Sequence, residues 1–227
     1  MNSIKSDFFS ELSSIKLIDL RFNRLFYIEK LQFVPNADVK VFLFGNLWDC
    51  TKNLKWIATN DYKFDIVDKE MMNCSDQKYR ARPILTVMNY KMILSKSCQQ
   101  DPELKNCSCH ISYLRLDIDS NTFHPMFSVN CSNAGFLDFP RKLPENTTTL
   151  FINNNQITSL NMLCVRNSTY GGIHDLYLDY NQISDVSVLD NCEWWDIKFL
   201  YIRDESFEMK AVHMWRHGSF CFFESST

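Results

Sequence analysis

Residues 147–160 read TTTLFINNNQITSL, and the spacing within them decides the fold. Apolar residues fall at Leu150, Ile152, Ile157 and Leu160, with Asn155 between the two pairs. Leu150 and Ile152 alternate as in a short strand buried on one face. Asn155 comes where the chain must bend out of the strand, and its carboxamide can pair backbone groups freed there. Ile157 and Leu160 then ride on the returning segment. Such a unit cannot bury its apolar face alone, so it needs similar units stacked against it.

Working outward, such units are present. Downstream, Ile173, Leu176, Leu178, Asn181, Ile183, Val186 and Leu189 repeat the order, and Ile197, Leu200, Ile202 and Phe207 repeat it with Glu205 in the Asn position. The turn residues are spaced 181 − 155 = 26 and 205 − 181 = 24. Upstream, Phe9, Leu12, Ile15, Ile18 and Leu20 lead to Asn23, and Val41 and Leu43 lead to Asn46, a spacing of 46 − 23 = 23. An amphipathic helix over 8–20 is the rival reading of the first unit, and its L-x-L-x-x-N ending disfavours it. The pattern resembles leucine-rich repeats of about 20–29 residues. That resemblance implies an α/β leucine-rich-repeat solenoid: short parallel strands on the concave face, an irregular or 3-10 convex side, and cysteine-rich caps.

The cysteines fall where caps belong. N46-L-W-D-C50, followed by Trp56 and Cys74, resembles the C-terminal cap of extracellular repeat proteins. Leu47 replaces that family's Pro and Lys52 its second Cys, so the resemblance implies one disulfide, Cys50–Cys74, with Trp48 and Trp56 sealing the stack. Residues 75–97 form a connector in which Pro83 breaks or restarts a helix. CQQDPELKNCSCH at 98–110, with Cys131, resembles the N-terminal cap, a cluster with almost no core of its own. Four cysteines allow three pairings. The family's order implies Cys98–Cys109 and Cys107–Cys131. A zinc site of Cys107, Cys109, His110 and Cys131 is the rival, and C-x-C-H lacks the usual ligand gap. Cys164 and Cys192 lie at matching places in adjacent units and form either a staple or two buried thiols. Cys221 has no assigned partner. The segments are therefore 1–46 repeats, 47–97 C-terminal cap and connector, 98–143 N-terminal cap, 144–207 second repeat block and 208–227 a truncated tail.

This order resembles the membrane-proximal part of insect Toll-type ectodomains. RPILTVMNYKMIL, FSVNCSNAGFLDFP and LPENTTTLFI resemble insect members tied to ecdysone-linked development. Composition agrees with an extracellular setting. Nine cysteines accompany five N-x-S/T sequons, at Asn73, Asn106, Asn130, Asn146 and Asn167. The start, MNSIKSDFFSELSS, is not a signal peptide, and no run of about 18 apolar residues spans a membrane. The expectation is a fragment of a secreted or surface protein. Lys+Arg 24 against Asp+Glu 27 excludes a basic nucleic-acid footprint.

A partner is expected on the concave face, at residues alternating with the buried strand positions. These are Leu17, Asp19, Arg21, Lys40, Phe42, Phe44, Thr149, Phe151, Asn153, Asp175, Tyr177, Asp179, Phe199, Tyr201 and Arg203. Six of the fifteen are aromatic against 14 % for the chain, an excess that fits either a binding surface or strand stacking. The residues assigned to binding are Phe42, Phe44, Phe151, Tyr177, Asp179, Phe199, Tyr201 and Arg203. No catalytic motif, cofactor loop or metal set is found; His213 and His217 read as a solvated tail. The expected function is a non-enzymatic module that binds an extracellular protein ligand or co-receptor, in developmental or Toll-like signalling. A self-associating matrix protein is the alternative.

Overall fold

Ile18, Val41 and Ile66 are buried side by side because three short strands bring them into one register. The computed structural model describes residues 3–33, 38–59, 63–165, 168–188 and 197–202. These form two units, Met1–Ile93 and Leu94–Thr227.

In the first unit, β1 (Ser3–Ile4), β2 (Leu17–Asp19), β3 (Tyr27–Ile28), β4 (Lys40–Phe42) and β5 (Asp65–Ile66) are two or three residues each, with a short helix α1 (Lys55–Thr59) between the last two strands. A three-stranded parallel sheet has the order β2-β4-β5, and β1 pairs with β3 in a second small parallel sheet. In every strand the buried residue is flanked by less buried ones, which is why a single apolar residue per strand suffices. β5 lies inside the segment expected to be cap and connector, so the sheet continues into that segment by one strand. The carboxylate of buried Asp68, just beyond β5, explains how it ends: it accepts from the Leu43 (2.9 and 3.1 Å) and Phe44 (3.0 Å) N–H groups. Leu12, expected inside, is 47 % exposed; it precedes β2, the edge strand of the sheet. Gly45 turns the chain with φ +78°, where a Cβ would meet Phe22 Cδ1 at 2.5 Å, so a side chain there is strained and displaces the exposed Phe22 ring.

Helix α2 (Ile84–Gln99) opens directly after Pro83, whose fixed φ suits a helix start and whose carbonyl accepts from Val87 N at 3.2 Å. Ile84, Val87 and Met88 are buried in the first unit. The unit boundary at 93/94 falls inside this helix, a few residues before the expected boundary at 97/98.

The second unit is built on a five-stranded mixed sheet in the order β10-β9-β8-β7-β6. Here β6 (Ser108–Asp117) and β7 (Thr122–Asn130) form an antiparallel hairpin, and β8 (Thr147–Phe151), β9 (Asp175–Tyr177) and β10 (Phe199–Tyr201) add in parallel. The hairpin corrects the expectation of a coreless cysteine knot. Ile111, Leu114, Met126, Phe127 and Val129 are all buried, so the hairpin contributes core and leaves β6 as an edge strand of the sheet. Leu150, Leu176 and Leu200 occupy one register across the parallel strands and are all buried.

The bends after the strands share one hydrogen-bond arrangement. Asn46 Nδ2 donates to the Leu20 and Leu43 carbonyls, 2.8 Å each, and its Oδ1 accepts from Leu25 N at 3.2 Å. Asn155 Nδ2 donates to Cys131 O (3.0 Å) and Ile152 O (2.8 Å), and its Oδ1 accepts from Ala134 and Phe136 N. Asn181 Nδ2 donates to Ile152 O (3.0 Å) and Leu178 O (2.8 Å), with Oδ1 accepting from Ile157 N. Each carboxamide thus ties its own strand end to the preceding one. Asn23 donates only within its own bend, to Leu20 and Arg21 carbonyls, and stays exposed. Glu205 and Phe207 lie outside the described residues.

Candidate functional site

The parallel register of β8, β9 and β10 sets Phe151 beside Tyr177 and Tyr177 beside Tyr201. Neighbouring strands lie about 4.8 Å apart, close to the distance at which aromatic rings stack. The rings do stack. Phe151 and Tyr177 have centroids 4.3 Å apart at 16°, and Tyr177 and Tyr201 4.4 Å apart at 3°. Tyr177 has a ring on each side, and all three rings of the row are half-buried. Burial, then the neighbouring Tyr201 and Asp175, push the Tyr177 phenol above the ordinary tyrosine range, so it is a neutral hydrogen-bonding group at physiological pH.

One step back along the strands, Thr149, Asp175 and Phe199 are in register. Thr149 Oγ1 donates to Asp175 Oδ2 at 3.1 Å, and Phe199 is exposed. One step forward, Ser132 Oγ donates to Asn153 Oδ1 at 2.6 Å, and Asn154 N donates to the Asp179 carbonyl at 2.8 Å. Arg203 lies outside the described residues. Of the residues assigned to binding, Phe151, Tyr177 and Tyr201 therefore form one stacked row, with Asp179 and Phe199 two residues to either side along the strands.

Phe42 and Phe44 belong to the other unit and sit in a different environment. The Arg21 guanidinium lies 4.7 Å from the centroid of Phe42, and Phe44 meets exposed Phe22 edge-on at 5.5 Å. Arg21 also pairs with Asp19 at 2.6 Å, and that hydrogen bond holds the Asp19 carboxyl down at about 2. Phe42 thus carries a cation and Phe44 a second ring, whereas the ring row of the second unit is flanked by carboxylates.

The cysteines frame the sheets. Cys50–Cys74, Cys98–Cys109 and Cys107–Cys131 are bonded, the pairings that the caps' resemblance implies. All three sulfurs of the rival zinc set are thus in disulfides. The same holds for Cys50 and Cys74, which converge with Asp76: the carboxylate instead accepts from Cys50 N (2.8 Å) and Tyr79 N (2.9 Å). Cys164 is disulfide-bonded, and Cys192 and Cys221 lie outside the described residues. Trp48 is wholly buried, and its indole N–H has no partner among the described residues; Trp56 donates to Ile28 O at 3.2 Å. Lys91 of α2 donates to the Cys50 and Thr51 carbonyls and lies 5.4 Å from the Tyr79 ring, and burial pushes its ammonium pKa down. Asp68, Asp76 and Lys91 are structural residues that the repeat pattern did not point to, since lone polar residues have no periodicity. Of the sequons, Asn73, Asn106, Asn130 and Asn146 are exposed, and Asn167 lies outside the described residues.

No family model and no solved structure matches the chain. Curated relatives do. The chain is 36 % identical over 195 residues to "Protein singed wings 2" of Drosophila melanogaster, covering 86 % of this chain and 38 % of that protein. It is 28 % identical over 218 residues to "Protein halfway" of Drosophila pseudoobscura pseudoobscura, covering 90 % of this chain and 36 % of that one. It is 34 % identical over 111 residues to "Protein halfway" of Drosophila melanogaster, 48 % of this chain and 18 % of the relative. The chain therefore spans less than two fifths of the length of each relative, and its similarity to these proteins agrees with what its segments resemble. No described helix is long and apolar enough to cross a membrane.

Proposed function

We propose that the chain is part of an extracellular leucine-rich-repeat protein that recognises another protein through the exposed side of its second sheet. On this reading the two sets of parallel strands are two short repeat arrays, and the segments held by Cys50–Cys74 and by Cys98–Cys109 with Cys107–Cys131 are the caps between them. Three disulfides and the shared asparagine bends support it. The ring row Phe151, Tyr177 and Tyr201 carries the binding part. Aromatic residues held rigid by stacking offer contact area with little further loss of side-chain freedom. Asp175 and Asp179 beside them suit a partner segment with Lys, Arg or backbone N–H groups. The process is insect developmental signalling, ecdysone-linked or Toll-like, and the module itself is not an enzyme.

The test uses the disulfide-bonded chain displayed on beads and offered to surface and secreted proteins of insect tissue, followed by titration with the purified ligand. Tyr177→Ala and Tyr201→Ala are expected to weaken a saturable interaction by at least tenfold, in the range of a central contact residue. Tyr177→Phe should keep the stack and lose less. Equal affinity of all variants at unchanged thermal stability would confine the rings to holding the sheet together.

Self-association is the second reading, favoured by one observation. β6 is an edge strand, and exposed Tyr113, Leu116 and Ile118 lie on it or just beyond it. Unpaired strand edges with apolar side chains invite pairing between copies. Light scattering across a concentration series separates the readings: a monomer throughout removes the second.

A further inference from the structure

We infer that Asn146 is an N-glycosylation site that must be modified before β8 joins the sheet; the inference rests on the extracellular reading above. Asn146 is exposed in the turn before β8, with φ +63°. Its sequon is N146-T-T148, and recognition of such a sequon needs the hydroxyl of the third residue as well as the carboxamide. In the folded chain that hydroxyl is out of reach. Thr148 is only 5 % exposed and its Oγ1 donates to Phe127 O at 3.4 Å. The middle residue, Thr147, is buried too, and its hydroxyl donates to Pro144 O at 2.6 Å. The backbone is held from both sides: Phe127 N donates to Asn146 O at 2.9 Å, and His174 N donates to Thr148 O at 2.7 Å. The acceptor is open and its recognition element is closed, so modification and folding must occur in that order.

The chain order makes this feasible. The β7 neighbour precedes Asn146, but β9, which supplies the other side, begins at Asp175. A nascent chain that has exported residue 148 still lacks His174 and β9, which hold the Thr148 carbonyl and close β8 on its second side.

The remaining described sequons are poorer. In N73-C74-S, N106-C107-S and N130-C131-S the middle residue is a disulfide cysteine. Asn130 Oδ1 also accepts from Ser132 N at 2.9 Å, and Asn73 Nδ2 donates to Met71 O at 3.2 Å. Asn146 alone among them has Thr in third place and no cysteine.

The experiment expresses the full chain behind a secretion leader in insect cells and maps glycans and disulfides by peptide mass spectrometry. The expected result is a glycan on Asn146, lost in Asn146→Gln and kept in Thr148→Ser. In a second arm, purified oligosaccharyltransferase with lipid-linked donor acts on unglycosylated, refolded, disulfide-bonded chain and on a peptide spanning 140–155. The peptide should be modified and the folded chain spared. Bare Asn146 in a chain carrying the three disulfides would overturn the site while leaving the extracellular reading intact. A chain with neither glycan nor disulfides would overturn both. Modification of folded chain and peptide at equal rates would overturn the required order.

Discussion

A single carboxamide at each bend links two strands, which gives Asn46, Asn155 and Asn181 an energetic role that Asn23 lacks. Asn181→Ala removes the donors to Ile152 O and Leu178 O and the acceptor of Ile157 N, all in buried surroundings. Leaving buried backbone groups unpaired makes this a loss of roughly 2–4 kcal/mol. Asn23→Ala, at an exposed bend, should cost no more than about 0.5 kcal/mol. Urea titrations of the two variants check the contrast, and equal losses would mean that the shared arrangement is not what holds the strands. Tyr170 gives a second prediction at this scale. Its buried phenol donates to Pro140 O and its ring meets Phe139 edge-on at 5.6 Å. Burial pushes its pKa far above the ordinary tyrosine value, so the folded state favours the neutral phenol. The sign follows: this stability is complete below the unfolded value of about 10 and is lost as pH rises above it. Tyr170→Phe should cost about 1–2 kcal/mol at neutral pH. Its stability should then fall less steeply than that of the parent between about pH 10 and 11, where both are measured by denaturant titration.

Strands of two or three residues have too little backbone pairing to stand alone, so the elements depend on what closes them. Cys50–Cys74 spans 24 residues and joins the segment after β4 to the one after β5. Loop-closure entropy for such a span corresponds to roughly 3–4 kcal/mol, and a double Cys50→Ala, Cys74→Ala variant should lose about that in thermal or urea unfolding. The elements differ in how far periodicity exposed them. Ile18, Val41, Leu150, Leu176 and Leu200 are each followed two residues on by a second Leu or Ile and five residues on by the bend position, so their strands could be read directly. β5 was hidden because Asp65–Ile66 holds one buried residue and its bend ends on Asp68, whose carboxylate does part of the work of the missing asparagine. The β6–β7 hairpin was hidden for another reason. Cysteines and sequons drew the reading to 98–131, while the bulge between Ile111 and Tyr113 broke the period-two pattern of β6. The ring row was legible as residue types at register positions, but whether the rings would stack or stand apart depended on strand spacing, which no residue letter encodes.

The chain as a whole is two units, and the boundary at 93/94 cuts through α2 instead of a linker. Ile84, Val87 and Met88 are buried before that boundary, and Leu94 and Cys98 after it. Cys98 is bonded to Cys109, so the far end of the helix is anchored covalently in the second unit. Among the described residues the first unit thus has two small sheets and the Cys50–Cys74 disulfide, and the second has the five-stranded sheet and disulfides of its own. Stability lost in one unit should therefore remain largely in that unit. The Cys50→Ala, Cys74→Ala variant should speed amide exchange in β2, β4 and β5 by the factor that its unfolding free energy sets, tenfold for each 1.4 kcal/mol. Exchange in β7, β8 and β9 should change by less than about threefold, and α2 should divide, with Val87 and Met88 exposed and Leu94 still protected. Hydrogen-exchange mass spectrometry with peptides on either side of residue 93 reads all three at once. Equal acceleration throughout would make the molecule a single cooperative body, with α2 transmitting the loss from its first half to its second.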